Sequence, residues 1–356
     1  MPLLVEAYDT SQLSNQAQFP LQLAYRPPSA WFKIVQLAII IPHLPAPLHY
    51  FSLRVIIGQP NIPVFRNPAR IQTTALDTVT LVSSVSPHMQ GHLQTYSIEQ
   101  DCVLKNQYFQ FGEHVYLNGQ FPNFHLYQDD PELSVDLKMT AIPLISYFSK
   151  LRLGLYQHWS VPAQCQGQIK FKGEVFQIDQ LASFDYLRAI HLPYLPICFY
   201  SYQVIHLEDQ RQLLLLHVRN QFNQVMQSKI FVRDVLQNKS YCFETHVHFI
   251  VQRLYPKVQT PNHHEMYLPR EFGWQARDAE HSIKVSAQSR GDFKFGVGAG
   301  YVGSFNYQVE LDQQLYEGHA GYCEYIDCRP LRWQEKNQHE ILLDRLEQPL
   351  PVALKK

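Results

Sequence analysis

The stretch from Tyr156 to Tyr186, YQHWSVPAQCQGQIKFKGEVFQIDQLASFDY, limits the fold more tightly than any other part of the chain. It reads as an aromatic strand, a proline exit, a hairpin cornered by glycines, and a last strand carrying a carboxylate among aromatic residues. On the first arm Gln168, Lys170 and Lys172 alternate with Ile169 and Phe171, the period of two of a half-buried strand. Lys172-Gly173 supplies the turn.

The same grammar recurs on both sides of this hairpin. Strands are expected at Leu48 to Ile57, which Gly58-Gln59-Pro60 breaks, at 78–85, 93–100, 108–117 with a turn at Asn118-Gly119, 123–127 and 133–141. A second set follows at 199–207, a turn at Glu208-Asp209-Gln210, then 211–219, 229–235, 241–252, 281–287, 303–311 and 318–327. Such close spacing suits antiparallel neighbours. Residues 1–47, with five prolines between Pro27 and Pro47, read as an irregular leader. Asn337 to Gln348 is the one credible helix, with Ile341, Leu342 and Leu346 among acid-base pairs.

A chain of 356 residues suits two domains, each burying its own core. The expected fold is therefore all-β, with a first barrel or curved sheet over 48–190 and a second over 191–356 that ends in the helix. Lys plus Arg is 30 against 31 for Asp plus Glu, which argues against a polyanionic partner such as nucleic acid. The N-terminal residues lack a cationic start followed by an apolar core, so the expected location is cytoplasmic. Ile34 to Ile41 is the greasiest run but stops at Pro42, too short to span a bilayer; at most it touches a membrane or closes a barrel end. Six irregularly spaced cysteines fit reduced, buried thiols.

His158-Trp159-Ser160-Val161-Pro162, the glycines 167 and 173, Ala182-Ser183-Phe184-Asp185-Tyr186 and the strand pair Phe199 to Arg219 come in an order that resembles the carotenoid hydratases and their bacterial relatives. Leu268-Pro269 with Trp274, and Gly318-His319-Ala320-Gly321-Tyr322-Cys323-Glu324-Tyr325, continue the likeness to about residue 327. The resemblance implies two tandem lipocalin-like (calycin-type) barrels and an apolar, isoprenoid- or lipid-like ligand. One departure stands out: Asp185 is followed by Tyr186-Leu187-Arg188, where a hydratase-like member has His or Glu and then Trp.

Adding water to an isolated alkene, or cyclising a polyene, needs a protonated acid beside an apolar pocket and aromatic faces for the cation. Asp185 is the natural acid, with His158 or Glu324 assisting, and Trp159, Phe184, Tyr186 and Trp274 are the expected cavity lining. Strand alternation, however, puts Ser183 and Asp185 on the face opposite Phe184 and Tyr186. Asp185 then looks at water unless a bulge near Asp179-Gln180 resets the phase. Glu324 is expected to pair with an arginine such as Arg219. His246 and His248 share one face of a strand, with His263-His264 nearby, but two strand histidines without a third ligand make no zinc site. The glycine-rich Phe295 to Gly300 run reads as a hairpin loop, not a nucleotide cradle. No metal or cofactor is expected. The leading expectation is binding of an apolar small molecule; the alternatives are a hydratase or cyclase using Asp185, and filled barrels that work through their surface.

Overall fold

The computed structural model describes residues 23–150 and 155–336 and the two-residue strand Ser14–Asn15; of Lys150 only the backbone is described. The expected C-terminal helix at 337–348 lies outside the described residues. Nearly all of the rest is antiparallel β-sheet, arranged as two tandem lipocalin-like barrels, one nearly closed and one half open.

The first sheet runs Leu93–Ser97, Thr78–Val85, Phe51–Ile57, Ile34–Ile41, Glu174–Ala189, Tyr156–Phe171, Leu133–Ala141, Asn123–Gln128, Val115–Gln120, Tyr108–Phe111 and Cys102–Lys105. Its last long strand thus pairs with its first, and the break falls between Leu93–Ser97 and Cys102–Lys105, which the helical turn Ile98–Asp101 joins. The second sheet repeats this plan. Gln314–Asp327 closes onto Ile197–His206, and the break again falls between consecutive strands, Lys239–Phe243 and His248–Leu254.

Several sequence expectations change. Ile34–Ile41 belongs neither to an irregular leader nor to a membrane contact; all eight residues are buried as a central strand between Phe51–Ile57 and Glu174–Ala189. A run apolar on both faces is what such a doubly covered strand requires. The strand expected at 108–117 is two, turning at Gly112, and the next turn lies at Phe121-Pro122 rather than at Asn118-Gly119. The strand expected at 241–252 is also two, with His246 in the intervening turn at φ 53°, so His246 and His248 share no strand face.

Burial explains why the sheets meet where they do. Leu133–Ala141 alternates, with Leu133, Val135, Leu137 and Met139 inside and Lys138 in water. Glu174–Ala189 alternates only at its start; from Leu181 to Leu187 every residue is buried. Gln314–Asp327 does the same from Ala320 onward. These halves carry one face into their own barrel and the other into a core shared between the barrels. The shared core gathers Ala38, Ile40 and Phe148 from the first sheet with Tyr200, Tyr202, Leu214, Phe231 and Tyr322 from the second. Large aromatic side chains pack in both barrel interiors: Phe184, Phe124, Phe109 and Tyr25 in the first, and Trp274, Phe249, Phe272 and Phe305 in the second.

Lys172 (φ 49°) and Gly173 (φ 89°) make the two-residue turn expected of the long hairpin. Gly167 has a different purpose, because at φ 145° it lets Leu133–Ala141 approach so closely that a Cβ there would sit 2.0 Å from the Asp136 carbonyl oxygen. Gly167→Ala is therefore expected to cost about 3 kcal/mol in urea unfolding, and Gly173→Ala, whose Cβ meets open space, about 1 kcal/mol. Equal losses at the two positions would refute the close approach.

Candidate functional site

The chemistry-bearing side chains collect in the shared core. On the first sheet Asp185, Ala38 and Arg54 lie side by side on three adjacent strands, and Ser160 flanks Asp185 on the other side. Strand alternation sends these side chains away from the first barrel's interior. On the second sheet Glu324 lies beside Tyr202, with Tyr322 two residues earlier on the same face. Asp185 and Glu324 occupy the same place in the repeated plan. Each sits on the closing strand of its barrel, opposite the barrel's first strand, and projects outward.

The two halves exchange partners. Arg54 of the first sheet reaches Glu324 of the second at 3.5 Å, both side chains essentially inaccessible to water. Tyr322 donates to Glu324 Oε1 at 3.0 Å. In the other direction Arg233 donates to Ser146 Oγ at 2.9 Å across the junction, and to Gln212 Oε1 at 2.7 Å within its own sheet. Ser183 donates to Asp185 Oδ1 at 3.0 Å, and Ser160 continues that chain at 2.9 Å. Buried polar atoms remain without a hydrogen-bond partner in the protein, including Asp185 Oδ2, Glu324 Oε2, the Tyr202 hydroxyl and Arg233 Nη2. The Tyr202 hydroxyl lies against Asp185, at the margin of hydrogen-bonding geometry.

Burial governs the protonation states. It pushes the Glu324 carboxyl up, against the pull of Arg54 and the Tyr322 hydrogen bond, while the nearby Asp185 charge pushes it further up. Burial also raises Tyr200, Tyr202 and Tyr322 well above the ordinary phenol range, so all three stay protonated. His158 falls to about 3 through burial and the Arg54 charge, and is neutral near pH 7. Arg233 is lowered to about 10 by burial and keeps its charge at that pH.

Of the residues singled out from sequence, Asp185, His158 and Glu324 come together here, and Asp185, His158 and Tyr186 line one gap with Gln36, Leu37, Arg54 and Leu187. The gap is too narrow to admit a water molecule. The expectation that Asp185 faces water is corrected. The register of the hairpin runs unbroken past Asp179 and Gln180, so alternation does place Asp185 opposite Phe184, but the second barrel covers that face. Glu324 pairs with Arg54 and not with Arg219, which binds Glu335 instead. The expected lining is split. Trp159, Phe184 and Tyr186 pack on one another inside the first barrel, whereas Trp274 packs on Phe249 inside the second. Arg54, Arg233, Tyr200, Tyr202 and Tyr322 went unforeseen. Their signal was a charge in the middle of an apolar strand, as in FSLRVII and KIFVRD.

Among the described residues no group of three or more His, Cys, Asp or Glu side chains converges as a metal site, and His264 instead contacts the Asp327 carbonyl. No helix among them is long and apolar enough to cross a membrane.

Fold and junction together define a protein of two tandem lipocalin-like barrels with an ionised, tyrosine-rich layer between them. The chain belongs to the Family of unknown function (DUF6670), whose model matches residues 54–340. No curated protein matches it by sequence. Among solved structures it is similar to an AttH-like protein of Nitrosomonas europaea (13% identity, TM-score 0.58, 88% of this chain and 100% of that one). It is also similar to kievitone hydratase from Nectria haematococca (10% identity, TM-score 0.56, 92% and 98%) and to CghA (8%, TM-score 0.51, 90% and 98%). At such identities the likeness is one of fold.

Removing Arg54 leaves the Glu324 and Asp185 carboxyls in an apolar layer without their shared cation. Arg54→Met is expected to cost about 3–5 kcal/mol near pH 7. A buried carboxyl with a raised pKa stabilises the fold below its unfolded value and loses that contribution as pH rises through its folded value. Without Arg54 the Glu324 carboxyl rises further, so the deficit should shrink as pH falls from 7 towards 5. Urea unfolding across that range checks this; a deficit independent of pH would refute the pairing.

Proposed function

We propose that the junction between the barrels, rather than either barrel interior, takes a mostly apolar small molecule bearing an oxygen group and transfers protons to it in the manner of a hydratase or cyclase. The observation that carries this reading is a set of buried polar atoms without a full hydrogen bond, Asp185 Oδ2 and the Tyr202 hydroxyl at the margin of one with each other and Glu324 Oε2 held by the ion pair to Arg54 alone, set in a layer whose other lining is aliphatic and aromatic. A buried polar atom costs free energy unless something satisfies it, and a ligand hydroxyl or carbonyl does so. The similar fold of kievitone hydratase is in keeping with this class.

The roles shift from the sequence expectation. Glu324, whose carboxyl burial pushes up against the pull of Arg54, serves as the acid when it takes up a proton. Asp185 accepts a hydrogen bond or proton from the oxygen group or from an attacking water. His158, neutral and packed on Phe148, shapes the gap. Tyr200, Tyr202 and Tyr322 offer ring faces to a developing cation. Entry requires side chains at the edge near Gln36, His158 and Leu187 to move aside, because the gap is closed as it stands. The packed barrels favour one other reading, a junction that only holds two filled barrels together.

Native mass spectrometry of the purified chain, alone and with farnesol and geranylgeraniol, separates these readings. The expected result is a bound apolar species, with turnover to a product heavier by one water or to a cyclised isomer. Glu324→Gln is expected to keep binding and to slow turnover by about 10²- to 10⁴-fold. Wild-type turnover should also fall as pH rises through the Glu324 pKa. Neither binding nor turnover by a folded wild type would leave the structural reading standing.

A further inference from the structure

One end of the molecule combines exposed apolar side chains with cations. Trp31 (79% exposed), Tyr194 (50%), Phe222 (62%), Val225 (56%) and Met226 (50%) are among the most exposed large hydrophobic residues of the chain, and they come from three segments that meet. The strand start at Ile34 pairs with Ala189, which puts residues 31–33 beside the exit of Glu174–Ala189, where Arg188 lies over the Phe32 ring at 3.7 Å. The connection that follows holds the hairpin tip at 220–224, since Gln221 donates its amide to the Pro196 carbonyl at 3.1 Å and Tyr194 donates to Gln221 at 3.4 Å. Gln227 closes the triangle by donating to the Phe148 carbonyl of the first sheet at 2.6 Å.

These segments, residues 23–33, 186–197 and 219–229, contain no Asp or Glu. They carry Arg26, Lys33, Arg188, Arg219 and Lys229, of which Arg219 and Lys229 are engaged by Glu335 and Glu244. Arg26 and Lys33 are exposed and, among the described residues, make no ion pair. In a chain of near-zero net charge, three meeting segments with bare aromatic and aliphatic side chains, unpaired Arg26 and Lys33 and no Asp or Glu within them make a selective surface. Apolar side chains enter the boundary between headgroups and acyl chains, and each nearby Lys or Arg adds attraction to anionic headgroups.

We propose that this end docks on an anionic lipid surface, with Trp31, Phe222 and Met226 inserted and Arg26 and Lys33 against the headgroups. The narrow gap lined by Gln36, His158 and Leu187 lies near the same end, one residue from Arg188. The docking proposal does not depend on the junction binding anything.

Co-sedimentation of the full chain with phosphatidylcholine vesicles, and with vesicles that also contain phosphatidylglycerol, tests it. Binding is expected to the mixed vesicles and to weaken with added salt. The triple variant Trp31→Ser, Phe222→Ser, Met226→Ser should bind at least about tenfold more weakly. Arg26→Gln with Lys33→Gln should lose binding to the anionic vesicles only. All substituted positions are exposed, so thermal unfolding should be unchanged. Absence of vesicle binding by the wild type, or undiminished binding by both variants, overturns the proposal. So does a wild-type dimer that ignores vesicles and that the triple variant dissociates, which would assign the patch to a second copy of this chain.

Discussion

The Arg54–Glu324 pair fixes how the two halves of the molecule stand. Two charges withdrawn from water into a layer of aliphatic and aromatic side chains are tolerated only in each other's company. One comes from the second strand of the first barrel and the other from the closing strand of the second, so sliding the packed barrels by one strand would leave both charges buried without a partner. Apolar surface alone would allow many registers between two sheets. The ion pair, the Tyr322 hydrogen bond and the reach of Arg233 to Ser146 select one.

The repeated plan explains why the site lies between the barrels. In each half a strand meander closes last onto first, and the closing strand is buried on both faces over its second half. The inward face of that strand packs on the aromatic core of its own barrel. Its outward face is where an acid can be both buried and close to the other copy's acid. Asp185 and Glu324 hold corresponding places on the two closing strands, with a different surrounding for each. Glu324 has a cation and a phenol, while Asp185 has a serine chain and a phenol that stops short of a full hydrogen bond.

Much of the architecture was legible in the sequence because strand periodicity and turn residues are local signals. The Lys172-Gly173 turn, the Glu208 to Gln210 turn and the glycine-rich hairpin at 295–300 all lie where those signals place them. Ile34–Ile41 was misread because a strand covered on both faces has no alternation to show. Asp185 is the instructive residue. Alternation assigned it to the correct face, but one strand's pattern cannot say whether that face meets water or another sheet. The arginines escaped for the same reason, since Arg54 in FSLRVII makes sense only beside Glu324, 270 positions later.

That separation also bears on the order in which the molecule can be completed. Arg54 and Asp185 are in place once the first meander has closed, yet the carboxylate that answers Arg54 is on Gln314–Asp327, the last long strand of the second. During synthesis from the N-terminus, the first barrel therefore waits with its outward arginine solvated. The charged layer loses its water only when the final strand swings back to Ile197–His206. A first barrel standing alone would hold water on Arg54 in the place that Glu324 takes in the complete fold.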